Sequence, residues 1–194
     1  NLDVDIVTQA KTYEENGAAM ISVLTDQVFF KGDLDYVREI SSQVTIPTFA
    51  KDFIIDEKQI VRSRNAGATV ILLIVAALPE ARLKELYDFA TGLGLEVLVE
   101  THNLAELEIA HRIGAEIIGV NNRNLVTFET DLNTSLELST YFKDQPVYIS
   151  ESAIFDGADA ALVAPYFNGI LVGTALMTAG DVAEKVKELQ IDKG

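Results

Sequence analysis

Seven short apolar runs, separated by amphipathic stretches, constrain the fold of this 194-residue chain more than any other feature. The runs are rich in Val, Ile and Leu, and most are continuous rather than alternating, which is typical of parallel strands buried on both faces. The stretches between them have helical spacing, as where Leu83, Leu86, Tyr87 and Ala90 fall at i, i+3, i+4 and i+7. The pattern predicts a parallel α/β protein. Its predicted strands are Met20–Leu24, Thr48–Ala50, Val70–Val75, Val97–Val99, Ile117–Val120, Val147–Ile149 and Ile170–Val172.

Glycine–alanine pairs lie between helical stretches and the apolar runs that follow them. Gly17-Ala18, Gly67-Ala68 and Gly114-Ala115 each follow a helical stretch and precede an apolar run. We expect these glycines to adopt the left-handed C′ conformation that ends a helix. One strand and one helix recur about every 20–30 residues, a spacing that excludes an all-β sandwich.

Two parallel architectures fit the number of predicted elements. The chain opens on a helical pattern that includes Val7, Ala10 and Glu14, with no strand before it, and seven strands follow, each with a helix. A doubly wound sheet is expected to carry a G-x-G-x-x-G fingerprint after one strand, and the sequence contains none. A closed barrel requires eight strands, one more than the pattern predicts. The pattern alone leaves both architectures open.

Composition narrows the class of protein. Hydrophobic residues make up 48% and charged residues 23%, so we expect residues 1–194 to form a single domain with a substantial core. A formal net charge of −15 argues against a nucleic-acid partner. No apolar run approaches the roughly 20 residues that span a bilayer, and the first residues show no signal-like pattern. The chain has no cysteine, which excludes a disulfide, a thiolate metal site and a catalytic thiol and fits a cytoplasmic location.

Polar residues come directly after six of the seven predicted strands. They are Thr25-Asp26, Lys51-Asp52, Glu100, Asn121-Asn122-Arg123, Glu151-Ser152 and Gly173-Thr174. In a barrel, functional side chains cluster at these carboxyl ends, and this set suits acid–base chemistry on an anionic substrate. Lys51 is interpreted either as a strand-end lysine that reaches water or as a general acid. Glu100 is interpreted either as a solvated or paired carboxylate or as the matching proton acceptor.

Four further side chains have less specific interpretations. His102 and His111 lack the spacing of zinc ligands, so we expect structural roles for both. Phe30 and Phe53 are expected in the core or, alternatively, in an aromatic wall against a flat substrate ring.

Motifs in a fixed order across nearly the whole chain resemble one family. They are Ser22–Asp26 with Phe29–Gly32, the K-D-F-I-I-D string Lys51–Asp56, Leu72–Val75, Leu98–Glu100, Ile118–Leu125, Ser150–Ile154 and Val172–Met177. On these motifs the chain is similar to the indole-3-glycerol phosphate synthase family. The resemblance implies a TIM (β/α)8-type barrel, of which this chain holds seven strands.

The resemblance also implies a reaction of tryptophan biosynthesis. The enzyme closes the ring of 1-(2-carboxyphenylamino)-1-deoxyribulose 5-phosphate, with loss of carbon dioxide and then of water, to give indole-3-glycerol phosphate. The implied partner is therefore a small, phosphorylated, anionic substrate. No metal and no cofactor are implied.

Site residues follow from the same resemblance by position. Lys51 resembles the general acid that protonates the substrate carbonyl, and Glu100 resembles its acid–base partner at the cationic intermediate. Asn121 and Glu151 resemble residues that hold substrate hydroxyls and orient the lysine, and Arg123 resembles a group near the substrate carboxylate. The remaining positions are Phe30, Phe53 and Leu72 around the aryl ring, Ser152 at the substrate, and Ser152, Ala153, Gly173 and Thr174 at the phosphate.

The chain departs from the family pattern at two points. The family's first strand, with its A-E-I-K-x-x-S-P-S-like motif, has no counterpart, so we expect exposed sheet edges and little or no activity from this chain alone. Ala153 stands where the family usually has glycine, and its methyl group is tolerated only at a negative φ. We therefore expect weaker phosphate binding.

Two alternative functions remain at this point. Another phosphate-binding barrel, such as phosphoribosylanthranilate isomerase, would require a catalytic cysteine, which the chain lacks. A non-catalytic, truncated remnant is the other alternative. The presence of Lys51, Glu100, Asn121 and Arg123 favours the enzyme.

Overall fold

A computed structural model of the chain describes residues 5–28 and 31–190. Its strands are β1 (Ile21–Leu24), β2 (Thr48–Lys51), β3 (Val70–Ile74), β4 (Glu96–Thr101), β5 (Ile117–Asn121), β6 (Val147–Glu151) and β7 (Gly169–Leu171). Its helices are α1 (Ile6–Glu15), α2 (Leu34–Ser41), α3 (Glu57–Asn65), α4 (Glu80–Gly92), α5 (Leu104–Ile113), α6 (Asn133–Ser139), α7 (Gly157–Val163), α8 (Thr174–Met177) and α9 (Val182–Leu189), with a 3₁₀ turn at Val75–Ala77. Within these two ranges, no helix combines the length and the hydropathy that crossing a bilayer requires.

The strands follow one another in sequence order, β1 to β7, in one sheet. Pairing is parallel, with Ile21 opposite Thr48 between β1 and β2 and Ile117 opposite Val147 between β5 and β6. A doubly wound sheet reverses its strand order at a switch point, so the uninterrupted order excludes that architecture and matches successive strands of a β/α barrel. The prediction of an opening helix and seven parallel strands is confirmed.

Four of the predicted strands, those corresponding to β2, β4, β5 and β6, ended one or two residues too early. Lys51, Asn121 and Glu151 are the last residues of their strands, and Glu100 is the last but one in β4. A polar residue joins a ladder through its backbone as readily as an apolar one, so the end of an apolar run does not mark the end of a strand. Conversely, Val75 leaves β3 and begins the 3₁₀ turn.

Contacts divide the chain into two compact units, residues 1–98 and 99–194. The first unit contains a buried cluster of Ala10, Ile21, Val23, Val37, Ile40, Ala50, Ala66 and Ala68. The second contains an aromatic group in which Phe142 stacks on Tyr148, with ring centroids 3.5 Å apart, and meets the edge of Phe167. The assignment of residues 1–194 to a single domain stays a prediction.

Side-chain caps begin six of the helices. In each, an Asp or Asn oxygen accepts hydrogen bonds from the first backbone amides; these residues are Asp5, Asp33, Asp56, Asn103, Asp156 and Asp181. These amides have no partner within the helix, so each cap stabilises its helix by about 1 kcal/mol. Part of the acidic excess of the sequence therefore stabilises the ends of helices.

The backbone of the predicted C′ glycines is left-handed, as expected. Gly17, Gly67 and Gly114 have φ of 90°, 102° and 80°. Each allows a helix to end and the chain to enter the following strand without strain.

Directly after β6, two residues that are not glycine also adopt the left-handed φ region. Ser152 has φ of 63° and Ala153 has φ of 60°. The left-handed region costs an L-residue roughly 1–2 kcal/mol, because Cβ approaches the following carbonyl oxygen. A methyl group at position 153 would be tolerated at a negative φ. In the structure φ is positive, so this expectation is not met.

Replacement of Ala153 by glycine should therefore stabilise the protein. We expect Ala153→Gly to raise the free energy of unfolding by about 1 kcal/mol, measured by urea denaturation, because glycine removes the clash of Cβ. Ala161→Gly is the matched control, since Ala161 is exposed within helix α7 and glycine there should lower stability by about 1 kcal/mol. A loss of stability in both variants would contradict the strain assigned to Ala153.

Candidate active site

In the first unit, Thr25 fixes the chain around Lys51. Lys51 is half-buried and lies opposite Leu24 in the register of β1 and β2. The backbone amide of Thr25 donates to the Lys51 carbonyl oxygen at 3.1 Å. The hydroxyl of Thr25, which is buried, donates to Oδ2 of Asp52 at 2.9 Å. These bonds hold the carboxyl ends of the two strands together and orient the segment that follows Lys51.

The predicted aryl pocket is only partly described. Leu72 is buried in the middle of β3, and Phe53 is half-buried after β2. The side chain of Gln59 in α3 donates to the Phe53 carbonyl oxygen at 2.9 Å, which anchors the loop. Phe30 lies outside the described residues, and the aryl-binding role of all three remains a prediction.

In the second unit, Asn121 and Glu151 are register partners at the ends of β5 and β6. Their exposed fractions are 8% and 1%. Oδ1 of Asn121 accepts a hydrogen bond from the backbone amide of Arg123 at 3.0 Å. The structure thus brings together two of the predicted site residues in a buried position, where polar groups are retained only at a cost in free energy.

Asn122, to which the sequence interpretation assigned no role, is the centre of a buried network. Its side-chain amide donates to the carbonyl oxygens of Glu151 and Ser152, at 3.0 and 3.2 Å, and to Oγ of Ser150 at 3.1 Å. Its Oδ1 accepts from the backbone amide of Ser135 at 2.9 Å. One side chain thereby joins the end of β5, the turn after β6 and helix α6, and it fixes the backbone on both sides of Glu151.

Arg123 is held within its own loop. Its Nη1 donates to the Phe128 carbonyl oxygen at 2.9 Å, and its backbone bridges to Thr130. The guanidinium carries five N–H donors in all, so this bond leaves others for a carboxylate. Its predicted place near the substrate carboxylate stays a prediction.

Glu100 is 2% exposed in β4 and lies against His102. Nε2 of His102 is 3.1 Å from Oε1 of Glu100, and Nδ1 is 2.9 Å from Oε2 of Glu106 in helix α5. Burial opposes a charge on the ring, but hydrogen bonds and attraction from Glu100 and Glu106 outweigh burial and raise the pKa of His102 to about 9. His102 is therefore a cation at neutral pH. By contrast, Nε2 of His111 is hydrogen-bonded to the Tyr148 hydroxyl at 2.9 Å.

The predicted phosphate loops begin side by side. Glu151 pairs with Leu171 in the register of β6 and β7, so Ser152 and Val172 leave neighbouring strands at the same level. Gly173 and Thr174 follow at the exposed start of α8, and a Cβ added at Gly173 would meet no atom within 4 Å. The loop at Gly173 therefore has open space beside exposed backbone.

Comparison with known proteins assigns the chain to a family. Residues 1–189 match the family described as indole-3-glycerol phosphate synthase. Proteins of that name from Streptococcus thermophilus strain LMD-9 and from Streptococcus mutans are 90% and 82% identical over 194 residues. In each case the match covers 100% of this chain and 76% of the relative.

Solved structures of low identity share the fold. 3-Hexulose-6-phosphate synthase from Salmonella typhimurium has a TM-score of 0.79 at 13% identity, covering 94% of this chain and 89% of that one. Thiamine phosphate pyrophosphorylase from Pyrococcus furiosus has a TM-score of 0.72 at 18% identity, covering 97% and 88%. These likenesses confirm the TIM-barrel class, with seven of its strands in this chain. The chain belongs to the indole-3-glycerol phosphate synthase family, the ring-closing, decarboxylating lyases of tryptophan biosynthesis.

Proposed function

We propose that Lys51, Glu100, Asn121 and Glu151 carry the acid–base chemistry of indole-3-glycerol phosphate synthesis from 1-(2-carboxyphenylamino)-1-deoxyribulose 5-phosphate. The observation that supports this most is the burial of Glu100, Asn121 and Glu151 at the carboxyl ends of the strands of the second unit, with exposed fractions of 2%, 8% and 1%. Buried ionisable groups at strand ends are characteristic of catalytic sites in β/α barrels.

Lys51 is proposed as the general acid of ring closure. When an aromatic carbon attacks the substrate ketone, negative charge develops on the carbonyl oxygen. An ammonium group that donates a proton to this oxygen stabilises the transition state more than the ground state. The half-buried end of β2, fixed by Thr25, holds such a group in place.

Glu100 is proposed to act once the ring has closed. The closed ring carries an iminium-like positive charge, which a carboxylate stabilises. Loss of carbon dioxide returns its electron pair to the ring and neutralises this charge. Removal of the hydroxyl as water then requires a proton at oxygen and the loss of a proton from the ring, and Glu100 is proposed to move protons at this stage. Asn121 and Glu151 are proposed to hold the substrate hydroxyls.

The anionic groups of the substrate are assigned to the loops. We propose that backbone amides at Ser152, Ala153 and Gly173, with the Thr174 hydroxyl, bind the phosphate, because the two loops begin next to each other and there is open space at Gly173. Arg123 is proposed to bind the carboxylate with its remaining donors.

Assays of these roles use the full-length enzyme, in which this chain is joined to the part of the S. thermophilus relative that lies outside the match. We expect Lys51→Met to lower kcat at least about 100-fold, because the general acid is lost while the side-chain length is retained. Lys58→Met, at an exposed position of α3, is the control and should leave kcat unchanged. A Lys51→Met enzyme within threefold of the unsubstituted one would exclude Lys51 as the acid.

Glu100→Gln is the second test. This isosteric change removes the negative charge, and we expect it to lower kcat about 100-fold or more with a smaller effect on KM. Glu108→Gln, on the exposed side of α5, is the matched control. Equal kcat in the two variants would show that Glu100 has no part in the chemistry.

Phosphate binding is tested at Ala153. In the full-length enzyme, Ala153→Gly should lower the inhibition constant of inorganic phosphate and the KM of the substrate severalfold, because the backbone can then approach the phosphate more closely. Ala161→Gly should change neither constant. Unchanged constants in Ala153→Gly would remove Ala153 from the phosphate site, even if its stability rises.

A further inference from the structure

The side chain of His102 contacts Glu100 through the geometry of β4. Residues two apart in a strand point to the same face, and His102 directly follows the last residue of β4, so its ring lies beside the carboxylate at position 100. The distance from Nε2 to Oε1 of Glu100 is 3.1 Å. The side chain of His102 is 12% exposed, so little water competes for this contact.

Glu106 fixes the other side of the ring. Its Oε2 accepts hydrogen bonds from Nδ1 and from the backbone amide of His102, both at 2.9 Å. Its Oε1 accepts from the side-chain amide of Asn103 at 2.7 Å, and its own backbone amide donates to Oδ1 of Asn103 at 3.0 Å. Asn103 is the N-cap of α5, so the glutamate that contacts the histidine is also joined to the residue that begins the helix.

The start of helix α5 is thereby connected to Glu100 through one imidazole ring. Glu106 is held by three donors and fixes the ring through Nδ1, and Nε2 of the fixed ring lies 3.1 Å from Oε1 of Glu100. We propose that His102 is a positioning residue for the acid–base chemistry, which holds the Glu100 carboxylate in one rotamer and transmits to it the rigidity of the hydrogen bonds between Asn103 and Glu106 at the start of α5. This inference rests on the role proposed above for Glu100.

The charge of His102 supports the arrangement. Because its pKa is raised from 6.5 to about 9, the ring is protonated at neutral pH and both nitrogens carry a proton. The charged groups that face the ring are Glu100 from β4 and Glu106 from α5. Since the pKa is raised in the folded protein, the ion pairs are complete at neutral pH and are lost as the pH rises through about 9.

A matched pair of neutral variants tests which ring nitrogen of His102, Nδ1 or Nε2, is needed for activity. The side-chain amide nitrogen of glutamine reaches the position of Nε2, whereas that of asparagine reaches the position of Nδ1. In the full-length enzyme we expect His102→Gln to keep kcat within about threefold, because it still places an N–H group beside Glu100. His102→Asn should lower kcat about 10- to 100-fold, with little change in KM. Removal of groups that orient a metal ligand has effects of this size. His111→Leu is the histidine control and should leave kcat unchanged.

A double-substitution cycle separates positioning from a general structural role. If His102 acts through Glu100, His102→Asn should lower kcat in the unsubstituted enzyme but have no further effect in the Glu100→Gln enzyme. Equal losses in both backgrounds, or equal kcat of His102→Gln and His102→Asn, would overturn the proposal. If Glu100→Gln itself leaves kcat unchanged, it is the proposed function of Glu100 that fails.

An NMR titration of the His102 ring provides a readout independent of activity. Glu106→Gln retains an acceptor for the His102 ring, but it removes one of the two charges next to the ring. We expect the pKa of His102 to lie well above 6.5 in the unsubstituted protein and to fall in both Glu106→Gln and Glu100→Gln. A pKa that does not respond to Glu100→Gln would show that the ring and the carboxylate are not in contact.

Discussion

Parallel pairing of consecutive strands is the constraint on which the rest of the structure depends. Because the strands run in one direction, their carboxyl ends reach the same edge of the sheet, and residues distant in sequence become neighbours. The register that sets Asn121 opposite Glu151 and Glu151 opposite Leu171 is therefore also the geometry of the site. A slip of one residue would turn each of these side chains to the opposite face. The caps and C′ glycines thus act on the site indirectly, by determining where each strand begins and ends.

Such a site requires polar groups in a buried place, and the second unit stabilises them with other polar groups. An unpaired buried amide or carboxylate costs several kcal/mol, which makes its partners essential. Asn122 satisfies the backbone carbonyl groups of Glu151 and Ser152, and His102 places a positive charge next to Glu100. These partners stabilise the fold and at the same time restrict the side chains to one arrangement. Rigidity of this kind is what acid–base chemistry demands of its groups.

The sequence predicted the fold better than it predicted the contacts within the site. Three signals depend only on local sequence: the hydrophobic period, the placement of glycines and the polar residues at strand ends. They identified the strands and the candidates Lys51, Glu100, Asn121 and Glu151. The network of Asn122 could not be inferred in this way, because its partners Ser135 and Ser150 come from later elements of the chain. The contact of His102 with Glu106 did have a signal, since Asn103 and Glu106 have the spacing of a capping box. No sequence signal indicated the left-handed turn at Ser152 and Ala153, because neither residue type favours that conformation.

Fold and chemistry are separable in this architecture, and the strand ends explain why. Structures at 13% and 18% identity share the fold but bear the names of a hexulose phosphate synthase and a thiamine phosphate pyrophosphorylase. The apolar interior of a strand, such as Leu98 and Val99 in β4, packs the core, whereas the residue that follows it, Glu100, is a buried carboxylate. A change at the strand end can therefore alter the reaction while the core persists. The family of this chain is consequently established by high identity across the whole chain, whereas its chemistry is proposed to reside in the few polar residues at which the strands end.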